Sequence, residues 1–394
     1  MATADPSVAI TPLVDILNLD RQELAADLQA ALGVEPFRAR QLVQWLYRYR
    51  HTSFEEMTNI SRQVRDQLAG RYSIYRPQID VVQLSSDGTR KFLFVLEDGS
   101  KVETVLIKQP TRYTLCVSSQ VGCTIGCRFC RTGLMGLKRH LTTSEIIGQV
   151  LAVLDEIAVL QAESPADAPQ VFQNIVFMGM GEPLHNYDNM SRAVRLLNDE
   201  LGLNFSSRKI TVSTSGLVPA IQRFGSEGVG ANLAVSLNAT TDEVRSEVIP
   251  INKRWPIDEL LSTLRQFPLK GRKRITIEYV MLGGVNDTDA DLERLPRLLR
   301  GIPVKVNLIP YNNNAGLNFD PPLRTVVAHW QETLLSKGLN ATVRWSKGED
   351  IAAACGQLAT AAPSRPLGAK APRGMKAGGK KSASEPSSLE PPIQ

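Results

Sequence analysis

The chain of 394 residues carries a formal net charge of +5, five cysteines and 43% hydrophobic residues, enough for one large core with a smaller unit beside it. It holds no run of about 18 apolar residues and its amino terminus lacks the basic and apolar regions of a signal peptide, so no membrane span is expected and the cytoplasm is the expected location. Cysteines in that setting argue against a disulfide scaffold and for metal-binding or catalytic thiols, while the basic balance suits RNA and equally suits proteins with no polyanionic partner.

In chain order, DRQELAADLQAALG reads as a helix: Asp20 caps with Glu23 three residues on, Leu24, Leu28 and Leu32 recur at helical spacing, and Gly33 ends it. PFRARQLVQWLYRYR predicts a second helix with Leu42, Trp45, Leu46 and Tyr49 on one stripe and Arg38, Arg40, Arg48 and Arg50 elsewhere. That basic surface is either a solvated face or an RNA-backbone contact. A third helix is expected from Phe54 to Tyr72, completing a helical unit over residues 1–76. Residues 77–110 then read as a β-hairpin connector, because Asp-Gly turns (SDGT, EDGS) separate alternating apolar runs.

Over residues 111–360 apolar runs alternate with amphipathic helices. Strands are expected at YTLCVSS, NIVFMGMGEP, KITVSTSG, ANLAVSLNA, RITIEYVML and VKVNLIPY, and their scant alternation suits parallel strands covered on both faces. Capping boxes are read at Thr142 with Glu145 and at Thr240 with Glu243. Six such units without GxGxxG after the first strand predict an α/β fold, a partial (β/α)6 barrel, rather than a dinucleotide-binding sheet. Gln161–Gln170 reads as a surface loop, and residues 361–394 as a disordered basic tail, since so few large apolar residues cannot offset the ordering entropy.

Cys123, Cys127 and Cys130 are spaced Cys-x3-Cys-x2-Cys in the loop after the first barrel strand. Three thiolates from one loop suit an iron–sulfur cluster, and the missing fourth ligand leaves one iron open to an exogenous chelator, the role S-adenosylmethionine takes in radical chemistry. A structural zinc site or an electron-transfer cluster calls for a fourth ligand. On the C-terminal rim of the strands, MGMGEP offers glycines for close backbone approach and Glu182 to accept from an ammonium group; STSG (with Ser213), SLN (with Ser236 and Asn238) and Asn312 add hydroxyls and amides.

The cysteine loop, MGMGEP, STSG, IEYVML, NLIPYN and IAAACGQL, with FRARQLVQWLY and FEEMTNIS upstream, resemble the RlmN family of radical S-adenosylmethionine methyltransferases from about Phe37 to Leu358. The resemblance implies a [4Fe-4S] cluster on Cys123, Cys127 and Cys130 and S-adenosylmethionine contacts from Gly181, Glu182, Ser213, Ser236, Leu237, Asn238 and Asn312. It implies methylation at C2 of an adenine in 23S rRNA and in tRNA; methylation at C8 of the same rRNA adenine is the near alternative, and a radical enzyme that activates another protein or an iron–sulfur RNA-binding protein without catalysis are competing readings of a different class. In that scheme Cys355 accepts a methyl group, a 5′-deoxyadenosyl radical activates it, and the carbon adds to the adenine. Cys116 then resolves the link by forming a disulfide with Cys355, and Glu103 accepts the C2 proton. An electron donor such as flavodoxin or ferredoxin, and a monomer without membrane contact, are implied as well. Many relatives carry His where this chain has Asn238.

Overall fold

The computed structural model describes residues 12–360 apart from 166, 167, 315 and 316. The tail that the sequence reads as disordered lies outside the described residues. The first helix, α1 (Arg21–Leu32), begins at the expected capping box, in which Asp20 accepts from the Glu23 N–H and Glu23 returns to the Asp20 N–H; it ends at Gly33 with φ of 60°. The second, α2 (Arg38–Val43), passes into a single π turn, Gln44–Arg48. The wider turn shifts the helical phase, so Leu42, Leu46 and Tyr47 are buried while Tyr49, expected on the same stripe, is 54% exposed. The third helix is shorter than expected: α3 spans Arg62–Arg71, and Phe54–Glu56 makes only a 3₁₀ turn. Between them, turns at Met57 and Ile60 drive both side chains into the core and redirect the chain.

Three antiparallel strands follow: β1 (Gln78–Leu84), β2 (Arg90–Val95) and β3 (Lys101–Gln109). Their Asp-Gly turns place Gly88 and Gly99 at φ of 83° and 77°, a region open to glycine at no steric cost. This ribbon is continuous with the barrel, because β3 pairs directly with β4 (Arg112–Cys116). Parallel strands then add one beside the next: β5 (Asn174–Phe177), β6 (Ile210–Thr214), β7 (Asn232–Ser236), β8 (Ile275–Met281) and β9 (Val304–Pro310). A short last strand, β10 (Ala341–Val343), completes a sheet of ten; three residues are too few to show a period in the sequence. The strand order never reverses, as in a barrel and unlike a doubly wound sheet, so the expected partial barrel is the fold.

Helices α4 (Thr143–Glu163), α5 (Tyr187–Asn198), α6 (Val218–Glu227), α7 (Asp242–Val248), α8 (Ile257–Arg265), α9 (Asp289–Leu298) and α10 (Arg324–Ser336) cover the outer face. The Thr142–Glu145 box starts α4 as expected, and that helix runs into the segment read as a loop. In α7 the cap is Thr241 rather than Thr240: the Thr241 hydroxyl accepts from the Val244 N–H, while Thr240 is buried against Asp291. No helix among the described residues is long and apolar enough to cross a membrane.

The inside of the barrel is unusual. Many barrels fill it with Val, Ile and Leu, whereas here Thr114, Asn174, Thr211, Asn232, Thr276 and Lys305 line its N-terminal half around a hollow chamber. A hollow lined by polar side chains suits a polar ligand.

Candidate active site

The loop after β4 is fastened from several sides before it reaches the cysteines. The Ser118 hydroxyl donates to the Glu103 carbonyl (2.6 Å) and accepts from the Met180 N–H (2.8 Å). Gln120 Oε1 accepts from the Glu182 N–H (2.8 Å), and Asn186 Nδ2 donates to the carbonyls of Ser119 and Leu141. These bonds lock the MGMGEP turn against the cysteine loop, and a Cβ on Gly179 or Gly181 would collide with Val117 and Ser118 or with Gln120.

Gln120–Gly122 pairs with Leu137–His140 as a short ribbon that closes the base of the cysteine loop. Cys123, Cys127 and Cys130 line one cavity, with Ile125 and Phe129 on its apolar side. Burial raises all three thiols, Cys123 to about 12, so they become thiolates only when a cation or cluster stabilises them. No three His, Cys, Asp or Glu side chains among the described residues stand close enough to share one ion; the donors of a four-iron cluster bind separate irons and sit farther apart. Three soft donors on one cavity, set among apolar side chains, therefore fit such a cluster.

The same cavity is lined by Gly181, Glu182, Ser213, Ser236, Asn238 and Cys355. Glu182 is buried and its carboxylate already accepts from Ser215 N–H, Ser215 Oγ and Leu184 N–H at 2.8–3.0 Å. Burial raises its pKa, and the Ser215 bonds oppose that shift. Asn238 takes φ of 54°, its Oδ1 accepting from the Val280 N–H (2.8 Å). Leu237 is fully buried and participates through its backbone, its N–H donating to the Glu278 carbonyl. Asn312 lies on a small side pocket with Phe129 and Cys355, paired to the Ser346 hydroxyl.

Sequence reading missed the residue that draws this rim together. Arg245 is fully buried and donates to the carbonyls of Ser215 (2.7 Å), Leu237 (3.0 Å) and Ser236 (3.1 Å) and to Asn252 Oδ1 (2.8 Å). Desolvation lowers its pKa to about 10. An arginine in a helix otherwise rich in charge, DEVRSEV, carries no pattern that distinguishes it from a surface residue.

Cys355 belongs to a segment gripped at both ends. At one end Gly348 N–H donates to Asp87 (3.0 Å) and Asp350 accepts from Ser85 Oγ (2.6 Å), tying the segment to the β1–β2 turn. At the other, Arg131 N–H donates to the Gly356 carbonyl (2.8 Å) and Thr132 Oγ1 to the Leu358 carbonyl (2.7 Å), tying it to the cysteine loop itself. Glu103 is buried in an ion pair with Lys91 (3.0 Å) and accepts from the Ala359 N–H (2.8 Å). Burial raises its pKa, opposed chiefly by Lys91.

Below this lies the hollow chamber, lined by Cys116 and by Arg112, Arg208, Lys209, Lys305, Arg344 and Lys347. Glu278 is its one carboxylate among the described lining residues. Cys355 lines both spaces, together with Met178, Glu278, Ile309, Arg344 and Leu358. Cys116 is pushed up to about 12 by burial and then by Cys355, and Arg344 is held charged chiefly by Cys355.

A three-thiol loop on the C-terminal rim of a partial βα barrel, facing a cleft of hydroxyls and glycines, defines a radical S-adenosylmethionine enzyme. Residues 14–74 match the model of the ribosomal RNA large subunit methyltransferase N-terminal domain, and residues 117–295 that of the radical SAM superfamily. Relatives named dual-specificity RNA methyltransferase RlmN are 48% identical in Pelobacter propionicus (89% of this chain, 96% of the relative) and 49% in Geobacter sulfurreducens (88% and 92%). Another, from Anaeromyxobacter dehalogenans, is 50% identical over 88% of this chain and 91% of its own. A crystal structure of a radical SAM methyltransferase from Sphaerobacter thermophilus superposes with a TM-score of 0.80 at 44% identity, covering 88% of this chain and 99% of that one. The chain belongs to the RlmN family, and with that membership come the [4Fe-4S] cluster and S-adenosylmethionine as its cofactors.

Proposed function

We propose that this enzyme methylates C2 of an adenine in 23S rRNA and in tRNA, with Cys355 as the methyl carrier and Cys116 as the resolving thiol. The observation that carries the reading is the position of Cys355 on the partition between the cofactor cavity and the basic chamber. A side chain there meets a cofactor on one side and a nucleotide on the other.

Cys123, Cys127 and Cys130 would hold the cluster, which when bound would supply the electron for reductive cleavage of S-adenosylmethionine, the source of a radical able to take hydrogen from a methyl group on Cys355. The chain's own part is placement. Cys355 sulfur takes the methyl group from a first S-adenosylmethionine, and the tethered carbon then bonds to C2, a centre too electron-poor to attack a sulfonium as a nucleophile. Once the adduct has given one electron back to the oxidised cluster and lost its C2 proton, Cys116 sulfur would attack Cys355 sulfur and break the Cys355 sulfur–carbon bond; the carbon keeps that electron pair, takes a proton and is released as the methyl group on the base, leaving the Cys116–Cys355 disulfide. Glu103 grips Ala359 in the present arrangement, so acting as the proton acceptor requires that N–H to let go.

The RNA enters through the chamber mouth, where cations such as Arg112, Arg208 and Lys305 meet its phosphates. Phe37, Arg40, Arg48 and Tyr49 are exposed in and around α2 and offer a second surface for RNA. A flavodoxin or ferredoxin supplies electrons, and the enzyme acts as a monomer in the cytoplasm. Mass spectrometry of adenines from RNA treated with the reduced enzyme and S-adenosylmethionine tests the reading. It requires methyl at C2, a methyl on Cys355 of the unreacted protein, and neither in Cys355→Ala; methylated RNA from that variant would overturn it.

A further inference from the structure

Glu278 is a buried carboxylate with no ion pair among the described residues, on the wall where the two cavities meet. It sits in the middle of β8, directly across from Asn307 on β9. Asn307 Nδ2 donates to both of its oxygens at 3.3 Å. The orientation of that amide is set from the next strand, since Thr342 Oγ1 donates to Asn307 Oδ1 (2.6 Å). The chain of donors Thr342, Asn307, Glu278 therefore has one direction, and it ends on an acceptor. Arg344 and Lys305 face the same carboxylate. Nothing in the chemistry assigned above uses it.

We propose that Glu278, oriented by Asn307 and Thr342, reads the base that reaches Cys355, accepting a hydrogen bond from an exocyclic amino group on the six-membered ring. The inference rests on the reading of this enzyme as an adenine methyltransferase. A base that presents C2 to Cys355 must lie at the level of the residues shared by both cavities. Among these, Met178, Ile309 and Leu358 offer apolar surface to its faces, and Glu278 and Arg344 are the polar members. Adenine turns an amino group to the acceptor Glu278. Hypoxanthine has the same C2–H but carries a carbonyl oxygen in place of that amino group, and a carboxylate repels it. A buried acceptor left facing an acceptor discriminates strongly, because both lose water without gaining a bond.

The test compares RNA stem-loops carrying adenosine or inosine at the methylated position, measuring kcat/KM for C2 methylation with each. Wild-type enzyme is expected to favour adenosine by roughly tenfold to a hundredfold, the range of one good base contact. Glu278→Gln keeps its amide oxygen toward Asn307 Nδ2 and turns its amino group to the base, so its preference should fall to parity or invert toward inosine. Thr342→Val, at an exposed position that leaves the core intact, frees the Asn307 amide to flip and should lower the preference part of the way. Parallel loss of both activities with an unchanged ratio in Glu278→Gln overturns the proposal, and if that variant does not fold an unchanged ratio in Thr342→Val does so. A wild type that methylates neither RNA refutes the adenine methyltransferase reading instead.

Discussion

Glu103 accepts the Ala359 N–H at 2.8 Å, so a residue of the β-ribbon holds the segment that delivers Cys355. Its other oxygen pairs with Lys91, whose ammonium also reaches the Ala352 carbonyl at 3.3 Å. The two charges are almost wholly enclosed, at 3% and 9% side-chain exposure, and removing one leaves the other unpaired in a poorly solvating place, at a cost of about 3–5 kcal/mol. Glu103→Ala should therefore lower Tm by roughly 4–6 °C and open residues 348–360 to protease. The double variant Lys91→Met with Glu103→Leu should recover most of the Tm, because the unpaired charge is gone, and yet stay inactive. A single variant that melts like wild type would show the tie to be energetically empty.

Much of this site was legible in the sequence because its chemistry sits in short local motifs. Cys123, Cys127 and Cys130 announce themselves by spacing, and Gly181, Glu182, Ser213, Ser236 and Asn238 fall on strand ends that the βα rhythm already orders. What stayed hidden depends on pairings between distant segments. The bonds from Arg131 to Gly356 and from Thr132 to Leu358 join the cluster loop to the Cys355 segment, and no periodicity encodes them. The π turn at Gln44–Arg48 moved Tyr49 off its stripe because a helical pattern assumes one pitch throughout. Thr240 is the better cap in sequence, because Glu243 completes its box, and its burial against Asp291 hands the cap to Thr241.

Cys116 should be chemically silent in the resting enzyme. Burial, reinforced by Cys355, pushes its thiol up to about 12, and the thiolate is the nucleophile. Alkylation of native Cys116 near neutral pH should be negligible, and its rate should climb about tenfold per pH unit towards 12. The sign for stability follows: the folded state holds this proton more tightly than the unfolded chain does, so the contribution is complete below about pH 9 and is lost as pH rises through 12. Peptide mapping after labelling across pH 7–10, with Cys116→Ser as the blank, reads the first effect. Rapid labelling at pH 7 in the folded protein would contradict it.

Gly122→Ala should cost the cluster without touching a ligand. Gly122 takes φ of 76°, and a Cβ there would lie 1.8 Å from the Gly136 carbonyl oxygen. That carbonyl also accepts the Cys123 N–H (3.0 Å), so the ribbon must part where the first thiol is positioned. Strain at a left-handed site combined with a backbone clash costs on the order of 3 kcal/mol or more. Iron content and visible absorbance after anaerobic reconstitution should fall severalfold, while Gly99→Ala, with open space around its Cβ, should keep both. Full iron loading in Gly122→Ala would mean that the ribbon yields more easily than its geometry implies.

Arg245→Lys tests whether the hydroxyl-bearing rim is held from behind. The guanidinium reaches three carbonyls and the Asn252 amide oxygen from one buried position. An ammonium, with a compact head and no planar fork, cannot span all four. Each abandoned carbonyl costs about 1–3 kcal/mol unless the strand ends move to find water, and movement displaces the Ser215, Ser236 and Leu237 backbones, with Asn238 next to them. The expected result is at least a tenfold loss of S-adenosylmethionine affinity by equilibrium dialysis, with iron content near wild type because Cys123, Cys127 and Cys130 are tied elsewhere. Retained affinity with lost iron would reverse that assignment and make Arg245 a support of the cluster loop, where its charge already faces Cys127.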